Sequence, residues 1–149
     1  MIIPFGKEGQ TELDVVARSL ATEWVDEMFE AYPLLKLPIA HGDIPIYFTG
    51  YASMTGPSGE KNQQKIDDYD LQIGSDRASN VIKYLKPNQL GSMADVTFLS
   101  VGRKQAQWAQ VFDEKLKRMI KKVGTPRDID RYVVVYVDYG AAMKILNPK

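Results

Sequence analysis

The chain reads as a single α/β two-layer sandwich of about four strands with helices on one face, ordered β-α-β-α-β-α-β. Three observations predict this. Apolar runs rich in β-branched and aromatic residues stand at residues 44–49, 96–102 and 131–137. Between and before them lie stretches whose apolar residues step by three and four, the spacing of one helix face. The length, 149 residues, is that of one domain large enough for a single core.

Composition excludes several function classes. Hydrophobic residues make up 44% and charged residues 26%, as in ordinary globular chains. Lys plus Arg and Asp plus Glu both total 19, so no global charge draws the chain to nucleic acid or a membrane surface. There is no cysteine, hence no disulfide or thiolate chemistry. No apolar run is long enough to span a bilayer, and the N-terminus lacks the pattern of a secretory signal.

In chain order, residues 1–5 form a short apolar run broken by Pro4 and closed by Gly6, an edge strand that tolerates a proline. Thr11 is the expected N-cap of a long helix carrying Leu13, Val16, Leu20, Trp24 and Met28 on one face and stopping before Pro33. Residues 33–45, with three prolines and a glycine, read as a connecting loop. It holds His41, the sole histidine, to which a surface or turn role is assigned. Residues 44–49 then read as a strand buried on both faces.

Residues 55–68 read as a polar loop, and its glycines lack the spacing and Lys-Ser/Thr tail of a phosphate loop. A helix at 69–85 follows, with Ile73, Ala78, Val81, Ile82 and Leu85 on one stripe and Arg77 well away from much of it, near the mouth of a cavity. Lys86-Pro87-Asn88 stops it. After the strand at 96–102, residues 105–123 read as a third amphipathic helix bearing Trp108, Val111, Phe112, Met119, Ile120 and Val123. Residues 103–122 hold Arg103, Lys104, Lys115, Lys117, Arg118, Lys121 and Lys122, either a solvated face or a surface for an acidic partner. Residues 131–137 are the strongest strand, and 140–149 form a tail that is a short helix or a linker.

Two segments carry a family resemblance. The chain has Gly50-Tyr51-Ala52-Ser53-x-x-Gly56, then Tyr69-Asp70-Leu71-Gln72-Ile73-Gly74-Ser75-Asp76-Arg77-Ala78-Ser79-Asn80-Val81-Ile82-Lys83-Tyr84-Leu85. This resembles the OmpA-like C-terminal domain, the peptidoglycan-associated module of Gram-negative envelopes and flagellar stators. That family reads G-H-T-D-x-x-G at a strand end, then Y-N-x-x-L-S-x-x-R-A-x-x-V-x-x-Y-L on the next helix. Ser100-Val101-Gly102 is similar to its V-G-x-G strand ending, and Asp130-Arg131-Tyr132 stands where it has N-R-R.

The resemblance implies one OmpA-like domain over residues 1–149, with a mixed four-stranded sheet. It implies no enzyme and no cofactor, and a periplasmic or cell-envelope location, with a signal or membrane anchor lying outside this chain. It also implies a partner, the diaminopimelate of the peptidoglycan stem peptide, whose ammonium and carboxylate a carboxylate and a guanidinium can clamp together. Arg77 matches the family arginine and becomes the carboxylate anchor. Ser53 takes the place of the family aspartate, and Thr55, Asp70 and Arg131 complete the candidate ligand-binding set. A hydroxyl supplies no charge, so the change weakens the site by roughly 1.5–3 kcal/mol unless Asp67, Asp68 or Asp70 restores it.

Two function classes follow. One is a wall-binding module that tethers a protein or complex to peptidoglycan. The other is a degenerate OmpA-like domain that has lost glycan binding and serves as a protein-interaction or assembly domain of an envelope complex. A hydrolase built on Asp67, Asp68, Asp70 and Asp76 is set aside, because acids gathered at a helix start are usually caps.

Overall fold

Alternation within the strands decides which side of the sheet is covered. In β2 (Ile46–Tyr51) the residues Ile46, Phe48 and Gly50 are buried while Tyr47, Thr49 and Tyr51 are half-buried. The strand is therefore covered on one face, where burial on both was expected. The computed structural model describes residues 1–7, 9–52, 59–102, 108–113, 118–123 and 131–148.

The main sheet has four strands in the order β1-β6-β2-β3, with β1 at Ile2–Pro4, β3 at Val96–Gly102 and β6 at Tyr132–Val137. β2 and β3 are parallel, while β6 runs antiparallel to both β1 and β2, so the sheet is mixed as predicted. A parallel pair needs a long crossover. Here that is helix α3 (Gln63–Leu85), which starts well before the expected Tyr69. Asn62 caps it by accepting from the Lys65 amide, and Gln63–Asp67, Gln64–Asp68 and Gln72–Asp76 amide-to-carboxylate bonds of 2.8–2.9 Å brace it at i, i+4 spacing. The loop acids Asp67 and Asp68 are thus helical residues.

Helix α1 (Val15–Ala31) is capped by Asp14, whose Oδ1 accepts from the Ala17 amide at 2.8 Å. Thr11 instead gives its carbonyl to Asn80 Nδ2 on α3 at 2.8 Å. The buried stripe of α1 is Ala17, Ala21 and Val25, one position round from the predicted one; Val16 and Leu20 are exposed, and Trp24 and Met28 lie at the edge of the core. Small alanines let the helix axis approach its neighbours closely, and the larger side chains flank the contact. The α3 stripe falls where the spacing placed it, with Ile73, Ala78, Val81 and Leu85 buried. Ala78, Val81 and Leu85 close over Phe48, Val133 and Val135 in one core.

The segment read as a loop at 33–45 contains a 3-10 turn, Pro33–Leu35, and a short helix α2, Lys36–Ala40, which His41 closes. Proline fits a first helical turn, where its missing N–H is not needed. The tail forms helix α4 (Tyr139–Leu146), capped by Asp138. No helix among the described residues is long and apolar enough to cross a membrane.

Where a third helix was expected over 105–123, the described residues form two antiparallel strands, β4 (Trp108–Asp113) and β5 (Arg118–Val123), and residues 105–107 and 114–117 lie outside them. The apolar residues that mimic a helical face are cross-strand partners in the antiparallel register: Trp108 opposite Val123, Val111 opposite Ile120, Phe112 opposite Met119. Aromatic and β-branched residues favour the pleated strand, and a three- and four-residue spacing in so short a run fits either period. Of the basic residues assigned to a helix face over 103–122, Arg118, Lys121 and Lys122 stand on β5, while Arg103, Lys104, Lys115 and Lys117 lie outside the described residues.

One contact fixes how close α3 lies to the sheet. A Cβ at Gly50 would collide with the Gly74 backbone, and one at Gly74 would meet Ser100 Oγ and the Gly50 carbonyl. Glycine on both partners lets helix and strand backbones touch over the β2–β3 pair. Gly50→Ala and Gly74→Ala should each lower stability by about 1–3 kcal/mol or more, since neither backbone can yield cheaply. Gly140→Ala in α4, whose Cβ would meet nothing nearer than 3.5 Å, should be neutral or better. Urea denaturation of the three variants checks this; equal midpoints would refute it.

Candidate functional site

Position 77 on α3 puts a guanidinium at the carboxyl end of β2, where the parallel pair ends. Arg77 is completely buried, whereas its angle to the apolar stripe had placed it at a cavity mouth. Its Nε donates to the Gln10 carbonyl at 2.7 Å, Nη1 to the Tyr51 carbonyl at 2.8 Å and Nη2 to the Lys7 carbonyl at 3.2 Å. The planar fork thus meets three backbone oxygens from two distant segments, a geometry that lysine could not reproduce. The ring of Phe5 lies 5.1 Å from the guanidinium carbon and covers one face of the cation.

The same α3 surface holds the β1–α1 segment in place. Asn80, one turn on from Arg77, takes the Thr11 carbonyl. Tyr69 brings its hydroxyl over Gly9, where a Cβ would sit 3.1 Å from it. Gly9 has φ +68°, a left-handed conformation that glycine adopts without strain. Gln10 closes the turn by accepting from the Lys7 amide and donating to the Glu12 carbonyl.

Two further charged groups belong to this corner. Burial, and after it repulsion from the neighbouring Arg131, push the Arg77 pKa down to about 10. Tyr69 and Asp70 act in the opposite direction. Asp70 is itself buried, and Arg131 is half-buried and donates from Nη1 to the Gly6 carbonyl at 3.2 Å. Arg77 remains a cation at neutral pH.

Of the five candidate residues, the structure gathers Arg77, Asp70 and Arg131 at one corner. Ser53 and Thr55 lie outside the described residues. Asp67 and Asp68 receive bonds from glutamines of the first α3 turn. Phe5, Tyr69, Asn80 and the carbonyls of Lys7, Gln10 and Tyr51 were not anticipated. Asn80 could have been: it follows Arg77 at i+3 and so shares its side of the helix. The backbone carbonyls leave no trace in sequence.

Three solved structures share this architecture over most of the chain. The OmpA-like domain of FopA1 from Francisella tularensis matches with a TM-score of 0.59 and 14% identity, over 91% of this chain and 70% of that one. The C-terminal domain of Helicobacter pylori MotB gives 0.57 and 16%, over 98% and 92%. The fold is OmpA-like. The peptidoglycan-associated lipoprotein from Burkholderia pseudomallei gives 0.52 and 16%, over 92% and 89%. No family model and no curated protein matches the chain. The OmpA-like frame is thus held at an identity where few side chains are shared.

Because Arg77 holds three backbone carbonyls from two distant segments, its first effect is on stability. Arg77→Met should cost about 3 kcal/mol or more, as charge-assisted bonds contribute roughly 1.5–3 kcal/mol each and are not additive. Arg77→Lys should recover only part of this. Guanidinium chloride unfolding of both variants measures it, and a loss below about 1 kcal/mol for Arg77→Met would overturn the assignment.

Proposed function

We propose that the chain is a non-catalytic, periplasmic cell-envelope module that associates with the peptidoglycan stem peptide and tethers a protein or complex to the wall. The observation that carries this reading is the charged corner at the end of β2, on a fold shared with a peptidoglycan-associated lipoprotein. Diaminopimelate presents a carboxylate and an ammonium. Arg77 and Arg131 supply positive potential for the first, and Asp70 is the acid of this corner that offsets the change to Ser53 for the second.

Arg77 in this reading works mainly by setting the frame. It is fully enclosed, whereas Arg131 stands half-exposed at the same corner. The same enclosure favours a second reading: a domain whose arginine has become purely structural and which acts as an assembly domain of an envelope complex.

An Arg77 variant cannot separate the two, because it disturbs the fold. The test is co-sedimentation with purified sacculi, with competition by free meso-diaminopimelate and with sacculi stripped of stem peptides by an amidase. Wall binding predicts pelleting that both treatments abolish. It also predicts that Arg131→Ala weakens binding about tenfold, the equivalent of one charge-assisted bond. A domain that stays in the supernatant with intact sacculi sinks the first reading and leaves the second.

A further inference from the structure

The two edges of the main sheet are treated very differently. β1 is only three residues long and contains Pro4, both of which blunt an edge against further pairing. β3 at the other edge is a seven-residue strand, Val-Thr-Phe-Leu-Ser-Val-Gly, without proline or any charge. Among the described residues no strand pairs with its outer side. Phe98 pairs with Phe48 and shares its helix-side face, whereas Leu99 belongs to the other face. Yet Phe98 is 48% and Leu99 59% exposed, so the middle of the edge is open on both faces. Leu71 of α3, whose carbonyl accepts from Ser100 Oγ, is 39% exposed beside it.

We propose that β3 is the docking edge for a second copy of this chain, the two strands pairing antiparallel about Leu99 to form one eight-stranded sheet. The register is self-complementary. Leu99 meets Leu99, Phe98 meets Ser100, Thr97 meets Val101 and Val96 meets Gly102, with no like charges opposed. Phe98 of each copy lies on the same face as Leu71 of the other and reaches toward it.

Packing supports the same occupant. The Gly50–Gly74 and Gly74–Ser100 contacts seat α3 over the β2–β3 pair. Strands are about 4.8 Å apart, so the two α3 helices would lie roughly 10 Å apart across the two-fold axis. That is the spacing at which helices interdigitate, 8–10 Å between axes. A specific interface needs about 1,200 Å2 or more. A strand edge about 23 Å long contributes part of this, and the helix contact adds the rest. An unrelated extended peptide could pair with the edge but would bring no second α3.

Sedimentation velocity from about 10 μM to 1 mM tests this. The wild-type chain is expected to pass from monomer to dimer over that range. Leu99→Lys places two ammonium groups face to face and should raise the dissociation constant at least tenfold, whereas Ile2→Lys on the opposite edge should not. Hydrogen exchange of the wild-type β3 amides, slower at the high concentration, reads the same contact without any substitution. A chain that stays monomeric through 1 mM overturns the proposal. So does a dimer that Leu99→Lys leaves intact or whose β3 amides exchange equally fast at both concentrations.

Discussion

The structure depends on a cation enclosed by its own backbone. Taking a guanidinium out of water is costly unless its donors are met. Three nitrogens of Arg77 reach the carbonyls of Lys7, Gln10 and Tyr51, and Phe5 covers a face. Those carbonyls need donors as much as the arginine needs acceptors. The arrangement therefore sets three things at once: the turn after β1, the end of β2 and the position of α3 against both.

Close approach of α3 to the sheet is what allows that short-range wiring. A helix that carried side chains at the Gly50–Gly74 crossing would stand off by more than an ångström, and the side chain of Arg77 would have to span the gap. Glycine at both positions keeps the distance down. The alanines on α1 play the corresponding part on the other helix. A frame made of two backbone contacts and one polar clamp asks little of the remaining sequence. This accounts for an OmpA-like fold at 14–16% identity to known structures.

What could be read in the sequence was what repeats along it. The α3 stripe and the strand 132–137 followed from periodicity and β-branched content, and the mixed sheet from the resemblance. Arg77 was singled out through that resemblance, but its burial was not foreseen, because its acceptors are carbonyls that any residue type could present. The α1 stripe was misplaced by one position, since Val16 and Leu20 look more hydrophobic than the alanines that are actually buried. The strands 108–113 and 118–123 were mistaken for a helix because a short apolar pattern fits both periods, and only the register of Val111 with Ile120 and of Phe112 with Met119 separates them. Thr11 and Asp14 are both good caps; Asp14 is the one that accepts from the Ala17 amide, while the Thr11 carbonyl is held by Asn80.

In the proposed wall-binding reading, burial leaves Arg77 an electrostatic part to play. In a medium of effective dielectric near 20, a unit charge about 6 Å away contributes roughly 3 kcal/mol. A cation sealed within the corner thus favours an anion at its rim without touching it. Arg131 lies close enough to lower the Arg77 pKa and so adds to that potential, and Asp70 subtracts from it. Among the described residues that act on Arg77, one further cation and one anion leave the corner positive, which suits one carboxylate. The corner would then select a ligand by the position of one carboxylate relative to the rigid ends of β2 and β6, and its geometry, set by the carbonyl clamp, would do the selecting.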